Sequence, residues 1–174
     1  TGAAGVVGSI SVMLLSKLGF KVAASTGRPE LESYLSGLGA SSVVSRDSLA
    51  RKCKPLEKEE WAAVVDSVGS TTLSTSLAQT AYNGMVAACG LAAGPDLPTT
   101  VIPFLLRNVT LKGIDSVMAS MDKRLRAWAD LANLLEKDAL ASVTTVEPLE
   151  KVLELGKSIL AGQVKGRVVI DVNS

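Results

Sequence analysis

Short apolar runs alternate along the chain with segments in which apolar residues recur every three or four positions. The runs predict strands and the periodic segments predict helices. Helices are expected at 5–18, 29–38, 71–82, 101–108, 122–135 and 148–161, and strands at 20–25, 42–45, 61–66, 84–89, 109–115 and 166–172. The polar stretch 46–60 is expected to form one or two short helical turns. Alternation of this kind predicts an α/β fold with a doubly wound parallel sheet.

The residues that lead into the first helix predict a phosphate-binding turn. Ala3, Gly5 and Gly8 have the spacing A-x-G-x-x-G, with alanine at the first position of the usual dinucleotide fingerprint. Small residues let a backbone approach a pyrophosphate, and the following helix points unpaired amide groups at the anion. The motif alone fits a plain connecting turn equally well. Taken with the strand pattern, it predicts a Rossmann-like sheet.

The first and the last predicted elements each lack a neighbouring strand in the predicted sheet. A phosphate-binding turn needs a strand that feeds it, and the sequence starts at the turn itself. We therefore expect a longer polypeptide in which the first strand of the sheet lies upstream of Thr1. The final strand, 166–172, has no evident partner in the predicted sheet. We expect it to be an edge strand added to a neighbouring domain.

Composition and charge narrow the class of partner. The 174 residues are 47% hydrophobic and carry a formal charge of +1, with acidic and basic residues interspersed. Such a chain has no net field that would attract nucleic acid or an anionic membrane, so a small-molecule substrate is predicted. Aromatic residues, at 3%, are too sparse for a base-stacking platform. No apolar run approaches the roughly 20 residues that span a bilayer.

The cysteines predict neither a metal site nor a disulfide. Cys53 and Cys89 lack metal-ligand spacing, and the chain has no histidine. We interpret them as reduced, buried or partly buried thiols in a reducing compartment, such as the cytoplasm or an organelle matrix or stroma.

The residues at the end of the predicted strand 20–25 favour NADP over NAD as the cofactor. An Asp or Glu about 20 residues past the glycines would bind the ribose hydroxyls of NAD and repel a 2′-phosphate. Here the strand ends in Ser25, Thr26, Gly27 and Arg28, without a carboxylate. Two hydroxyl groups and a guanidinium suit a phosphate. The alternative is that the hydroxyls satisfy the loop backbone and Arg28 is a solvated surface charge.

Nine short motifs along the chain carry a family resemblance: TGAAGVVGS (1–9), STGR (25–28), YL (34–35), LGAS (38–41), DSVG (66–69), ACGLA (88–92), LPTTVIPF (97–104), RNV (107–109) and GIDSVM (113–118). Together they resemble the medium-chain dehydrogenase/reductase superfamily, in particular its zinc-free quinone oxidoreductases and, within them, the NADPH-dependent acrylyl-CoA reductases. The resemblance covers essentially the whole chain, and 89–118 is its most specific part. Val6 replaces a usual glycine, and Ser42 stands where close relatives tend to have an arginine.

The resemblance implies a two-domain enzyme. Residues 1–146 would form the dinucleotide-binding domain, and 147–174 would return to a GroES-like catalytic domain upstream of Thr1. The implied reaction is reduction of an activated C=C bond by NADPH, in an enoyl thioester or a quinone, and dimers are implied. The alternative is a catalytically inactive nucleotide-binding or structural subunit of a larger complex.

The implied cofactor contacts follow from the order of the strands, because ligands lie at the carboxyl ends of parallel strands. The pyrophosphate is assigned to Ala4, Gly5, Val6 and Val7, and the adenosine phosphate to Ser25, Thr26, Gly27 and Arg28. The nicotinamide ribose is assigned to Val68, Gly69, Cys89, Gly90 and Leu91, with Ile114, Asp115 and Ser116 as further neighbours of the nicotinamide.

No residue is a convincing catalytic acid or base. Tyr34 belongs to a helix face and is interpreted as core, and Tyr82 follows a helix. Neither tyrosine has a lysine four residues later, which argues against the short-chain dehydrogenases. Arg107, Lys112 and Arg126 are interpreted as solvated charges, with contact to a CoA phosphate as the alternative.

Overall fold

The computed structural model describes all 174 residues, and strands and helices alternate along it. The helices are α1 (Val6–Lys17), α2 (Glu32–Gly37), α3 (Arg46–Leu49), α4 (Ser70–Gln79), α5 (Ile102–Arg107), α6 (Met121–Leu134), α7 (Lys137–Ser142) and α8 (Val152–Leu160). The strands are β1 (Ala23–Thr26), β2 (Ser42–Ser45), β3 (Trp61–Asp66), β4 (Thr80–Ala88), β5 (Thr110–Gly113), β6 (Thr144–Pro148) and β7 (Arg167–Asp171). Short 3-10 helices, Pro29–Leu31 and Leu149–Lys151, precede α2 and α8.

All paired strands run parallel, which confirms the predicted α/β fold. β1 pairs with β2, β4 lies between β3 and β5, and β6 pairs with β7. Helices connect the strands of the first two sheets, as parallel connections require. The arrangement β2-β1 beside β3-β4-β5 matches the doubly wound order 3-2-1-4-5-6, with position 1 left open between β1 and β3.

A cleft of about 490 Å³ occupies that central position. Residues 23–25 of β1 and 61–65 of β3 line it, together with α1. The N-terminal amino group of Thr1 donates to the Val65 carbonyl at 2.7 Å, and the Ala3 amide donates to the Ser25 carbonyl at 3.0 Å. Residues 1–3 therefore lie between the carboxyl ends of β1 and β3.

β3 is less buried than its apolar sequence predicts. Ala62 and Ala63 are exposed, and Asp66 is the one fully buried residue of the strand. The strand thus forms at the predicted residues 61–66, but most of its apolar run is not buried. The reason is that β3 pairs with a strand on one edge only, and its other edge faces the cleft.

Two separate hydrophobic clusters form on the two sides of the cleft. One joins α1, β1, α2 and β2, and the other joins β4 and β5 to α4 and α5. The first is built from Ala3, Val12, Val22, Ala24 and Leu35. The second is built from Leu73, Leu77, Val86 and Val109.

The first helix ends within one residue of the predicted position, and β1 begins later than the pattern predicts. Gly19 has φ +85°, and the Phe20 amide still donates to the Leu15 carbonyl at 3.0 Å. This hydrogen bond assigns Phe20 to the helix end, where a left-handed glycine commonly stops a helix. The strand therefore starts at Ala23, and Ser25 and Thr26 belong to it.

Residues 80–82 are also assigned differently from the prediction. They were expected to end a helix, but α4 stops at Gln79, and Thr80 has extended dihedrals and pairs with Trp61. Thr80 remains tied to the helix because its hydroxyl donates to the Ser76 carbonyl at 2.7 Å. A register shift between Trp61 and Ala63 accommodates the longer strand.

The final strand has a partner within the chain, so the expectation of an unpaired strand is wrong. β7 pairs along its length with β6, which the pattern did not predict. Pro148 ends β6 instead of opening a helix, and α8 starts at Val152. Proline is compatible with a strand end because it lacks only the amide donor.

α6 forms where predicted, but its apolar stripe is not packed. The helix has no buried residue, and Trp128 and Leu125 are 69% and 62% exposed. The amphipathic pattern was therefore sufficient to predict the helix and not its environment.

The carboxylate of Glu57 holds the polar stretch 46–60 against α4. Glu57 accepts from both terminal guanidinium nitrogens of Arg51, at 2.7 and 2.6 Å, and from the Gln79 amide at 3.0 Å. These bonds, first of all those from Arg51, lower the pKa of Glu57 to about 2. Part of this stretch is therefore anchored, although the sequence suggested only surface turns.

We expect the hydrogen bonds of Glu57 to lose their stabilising effect in acid. The pKa of Glu57 is lower in the folded chain than its ordinary value of 4.5, so its contribution is complete above pH 4.5 and declines as the pH falls toward about 2. The unfolding temperatures of wild type and Glu57→Gln should differ at pH 6 and converge at pH 2 to 3. Glu30→Gln, at an exposed carboxylate without hydrogen bonds, is the matched control. A difference that stays constant over this range would contradict the assignment.

Candidate functional site

The turn before α1 presents unpaired amide groups. Gly2 has φ +60°, and the Gly5 amide donates back to the Gly2 carbonyl at 3.1 Å, which closes the turn. No side chain caps α1, and the amides of Val6, Val7 and Gly8 have no acceptor in the chain. Unpaired amides at the start of a helix of 12 residues form an anion-binding position. The turn thus has unpaired amides at a helix start, and its contact with a phosphate stays a prediction.

Two of the three glycines in this turn have a steric reason to be glycine. A β-carbon on Gly2 would lie 2.6 Å from the Ser67 hydroxyl oxygen, and one on Gly8 would lie 2.5 Å from the Ala3 α-carbon. Both positions are closed by the protein itself. A β-carbon on Gly5 would meet nothing nearer than the Gly2 carbonyl oxygen at 3.5 Å, and the Gly5 dihedrals, φ −81° and ψ 174°, suit any residue. The fold does not explain the glycine at position 5.

The loop after β1 is anchored to the end of the chain. The Thr26 hydroxyl accepts from the Arg28 amide at 3.1 Å, so it is used within the loop. The Arg28 guanidinium donates to the carbonyls of Gln163 and Val164 at 2.7 and 3.0 Å. Arg28 is therefore a bound cation and not a free surface charge. Its contact with a phosphate stays a prediction.

The segment 163–166, which sequence reasoning did not select, crosses the start of α1. The Gly166 amide donates to the Ala4 carbonyl at 2.9 Å. Lys165 Nζ lies 4.8 Å from the centroid of the Tyr34 ring, and the Tyr34 and Ser9 hydroxyl groups are 2.8 Å apart. The one sequence feature that marks this contact is the glycine at position 166, whose φ of +58° favours glycine.

The loops after β3 and β4, which contain Val68, Gly69, Cys89 and Gly90, meet beside the turn. The contact of these residues with a nicotinamide ribose stays a prediction. The buried carboxylate of Asp66 accepts from the Gly69 amide at 2.8 Å and from the Thr1 hydroxyl at 2.6 Å. The Cys89 amide donates to the Asp66 carbonyl at 2.8 Å, and a β-carbon on Gly90 would lie 2.5 Å from the Ser67 carbonyl oxygen. Asp66 thus links the turn to both loops. Leu91, the next residue, is 64% exposed.

Of the three predicted residues that follow β5, only one lies beside the carboxyl ends of the neighbouring strands. The Ile114 amide donates to the Ala88 carbonyl at 2.9 Å, which places Ile114 beside the end of β4. The Asp115 carboxylate accepts from the amides of Val117 and Met118 at 2.8 and 3.0 Å and so closes its own turn. Ser116 is exposed. Ile114 is the member of this group that the structure brings to the edge.

The two cysteines are free, and their surroundings differ. Cys53 is half-buried, whereas Cys89 is exposed, so the expectation of two buried or partly buried thiols is wrong for Cys89. The Cys89 thiol donates to the Asp66 carbonyl at 3.3 Å. Partial withdrawal from water, and then the negative charge of Asp66, raise the pKa of Cys89, so the thiol stays protonated near neutral pH.

Of the three candidate cations for a CoA phosphate, one is hydrogen-bonded within the protein and two are exposed without a partner. The Arg107 guanidinium donates to the carbonyls of Ala78 at 2.9 Å, Thr80 at 3.3 Å and Glu57, and it pairs with Glu59 at 3.3 Å. Arg107 is therefore a structural cation that caps the end of α4, and its interpretation as a solvated charge is wrong. Lys112 and Arg126 are exposed and make no ion pair.

Neither tyrosine lies in surroundings that indicate a catalytic acid or base. Tyr34 packs against the first hydrophobic cluster, in agreement with its interpretation as core. Tyr82 lies in β4 and is 62% exposed. No group of three or more histidine, cysteine, aspartate or glutamate side chains is gathered in the chain. None of the helices combines the length and the hydropathy needed to cross a bilayer.

Comparison with known proteins gives consistent matches. Residues 6–137 match the family described as zinc-binding dehydrogenase. The chain is 52% identical over 175 residues to the acrylyl-CoA reductase AcuI of Ruegeria pomeroyi, covering 100% of this chain and 53% of that protein.

Two solved structures resemble it closely. The YhdH oxidoreductase of Salmonella enterica in complex with NADP has a TM-score of 0.95 at 46% identity, covering 98% of this chain and 52% of that one. The Bacillus subtilis protein YhfP with NAD bound has a TM-score of 0.91 at 41% identity, covering 98% and 53%. The chain thus spans about half the length of these relatives.

Proposed function

The chain belongs to the zinc-binding dehydrogenase family, and we propose that it forms the NADP-binding half of an oxidoreductase that uses NADPH to reduce an activated carbon–carbon double bond. One observation carries the proposal. The amides of Val6, Val7 and Gly8 have no hydrogen-bond acceptor in the chain. They follow Gly5, a position where the fold itself has room for a side chain. A ligand that approaches this backbone closely explains both facts, and a pyrophosphate has the matching charge.

The proposed contacts follow the edge formed by the turn and the strand ends. The backbone at 4–7 would hold the pyrophosphate, and the loop 25–28 would hold the adenosine phosphate. Val68 and Gly69 after β3 and the residues 89–91 after β4 would hold the nicotinamide ribose, with 114–116 beside the nicotinamide. The support for this set is that the turn and the loops after β3 and β4 share hydrogen bonds through Asp66.

NADPH, when bound, supplies the hydride for the β-carbon of the substrate. The residues of this chain supply position. Asp66 fixes the loop 66–69 against the turn, and the Arg28 guanidinium fixes the segment 163–166 over the start of α1. The Cys89 thiol, protonated near neutral pH, adds no charge at the nicotinamide end.

The family description implies zinc, but the residues of this chain do not fit a zinc site. Zinc is held by cysteine, histidine and carboxylate side chains that converge on one point. This chain has no histidine, and neither Cys53 nor Cys89 stands in a group of three such ligands. These 174 residues therefore do not by themselves offer a set of zinc ligands.

The substrate class and assembly also belong to the proposal. The named relatives include an acrylyl-CoA reductase, which favours an acrylyl-CoA-like thioester over a quinone. We propose that residues 1–146 form the dinucleotide-binding domain and that 147–174 contact the catalytic domain of the complete protein, with a homodimer or a larger complex as its assembly. A non-catalytic subunit that binds nucleotide is the competing function.

Consumption of NADPH by the complete protein tests this proposal. We expect turnover with acrylyl-CoA, a much lower rate with a simple quinone, and none with propionyl-CoA, the saturated control. Binding of NADPH without turnover of either substrate would favour the non-catalytic subunit. Failure to bind NADPH at all would contradict the proposal itself.

A further inference from the structure

The hydroxyl group of Thr1 lies where the turn before α1 meets the loop that follows β3. It donates to the Asp66 carboxylate at 2.6 Å and accepts from the Ser67 amide at 3.2 Å. The Ser67 hydroxyl donates back to the Thr1 carbonyl at 3.2 Å. One side chain at the start of the turn therefore holds both residues that begin this loop.

The carboxylate of Asp66 divides its hydrogen bonds between the two segments. Asp66 is fully buried, and one of its oxygens accepts from the Thr1 hydroxyl while the other accepts from the Gly69 amide at 2.8 Å. Loss of either donor would leave a buried charged oxygen without a partner, which is costly. The Cys89 amide donates to the Asp66 carbonyl at 2.8 Å, so a shift of Asp66 is passed on to the loop after β4 as well.

We propose that Thr1 is a positioning residue for hydride transfer, whose hydroxyl group fixes the nicotinamide end of the site relative to the pyrophosphate end. This inference rests on the proposed function, in which the turn holds the pyrophosphate and the loops after β3 and β4 hold the nicotinamide ribose. The adenosine half of the cofactor contacts neither loop, so its binding does not depend on this hydroxyl group. A displacement of the reacting groups by about 1 Å can cost about 100-fold in rate, so the role belongs to turnover more than to affinity.

Turnover and binding by the complete protein test this role in Thr1→Val, which keeps the shape of the side chain and removes its hydroxyl group. We expect kcat with NADPH and acrylyl-CoA to fall by about 10- to 100-fold. The isotope effect on kcat with NADPH deuterated at the transferred position should rise, because transfer from a displaced nicotinamide becomes the slow step. The dissociation constant of 2′-phospho-ADP-ribose, which is NADPH without its nicotinamide, should change by less than about twofold. Thr1→Ser keeps the hydroxyl group and should have a kcat within about twofold of wild type.

Thr75→Val is the matched control. The Thr75 hydroxyl is also buried, lies in the middle of α4 and donates to the Arg51 carbonyl at 3.2 Å. We expect this variant to have a lower unfolding temperature, with the kcat and the isotope effect of wild type. Ser67→Ala removes only the neutral bond to the Thr1 carbonyl and should lower kcat by about 2- to 10-fold in the same pattern, so it decides the case if Thr1→Val does not fold.

The outcomes separate this inference from the proposed function. Folded Thr1→Val with the kcat and isotope effect of wild type would overturn the inference and leave the proposed function standing. Equal losses of affinity for NADPH and 2′-phospho-ADP-ribose, or an equal loss of kcat in Thr75→Val, would show that the hydroxyl group only holds the fold and would also overturn the inference. Wild type that neither binds nor oxidises NADPH would contradict the proposed function first.

Discussion

Gly5→Val is expected to weaken NADPH and NADH alike by at least about 100-fold while the chain stays folded. The dihedrals of Gly5 lie in the extended region, which valine adopts readily, and the nearest atom to a new β-carbon is 3.5 Å away. The branched side chain would instead cover the unpaired amides of Val6 and Val7, where the pyrophosphate must approach. Because the pyrophosphate is common to both dinucleotides, selectivity should not change. Titration calorimetry with each cofactor measures both effects.

Gly8→Val provides the matched comparison. Its β-carbon would lie 2.5 Å from the Ala3 α-carbon, so the packing of α1 on the turn has to break. We expect a lower unfolding temperature in Gly8→Val and an unchanged one in Gly5→Val. Unchanged cofactor titrations in folded Gly5→Val would show that the turn does not hold the pyrophosphate.

A strand added before Thr1 is expected to raise the unfolding temperature by more than about 10 °C. The free edges of β1 and β3 line one cleft of about 490 Å³, and the Thr1 nitrogen already lies 2.7 Å from the Val65 carbonyl oxygen. Six β-branched apolar residues in this cleft would pair with both strands and bury their side chains. Burial of each such side chain contributes about 1.5 to 3 kcal/mol, and about 1 kcal/mol shifts the midpoint of a domain of this size by 2 to 4 °C.

The control is an extension of equal length built from glycine and serine, which cannot contribute buried apolar surface. Hydrogen exchange adds a local test, because the amides of residues 23–25 and 61–65 should gain protection only with the apolar extension. Equal unfolding temperatures for the two extended chains would contradict the assignment of the cleft as a strand position.

Elements whose signal is local were predictable. α1 is correct within one residue, β2 and β3 are correct at both ends, and the parallel pairing follows from strands that alternate with helices. Errors occurred where a distant partner decides the state. Thr80 to Tyr82 follow a helical pattern without a break, and their pairing opposite the start of β3 makes them a strand. β6 was missed because its few residues, Thr144–Pro148, have no distinctive pattern, and pairing with β7 defines them.

The candidate site divides in the same way. The turn and the residues after β1, β3 and β4 could be selected because phosphate-binding backbones need small residues at fixed spacing, and strand ends share one edge of a parallel sheet. The charges could not be assigned. Arg28 was assigned to a phosphate and Arg107 was interpreted as a solvated charge, yet each donates to carbonyls at least 25 positions away.

The amino-acid sequence by itself determined the α/β class, the glycine turn before α1 and the order of the loops along the candidate site, because periodicity and glycine spacing act over a few neighbouring residues. The tertiary structure alone decided which arginines are bound to carbonyl oxygens, how far β3 is buried and what β7 pairs with. Those properties depend on contacts between residues distant in the chain, and a guanidinium has the same local sequence signal whether it is bound to carbonyls or open to a ligand.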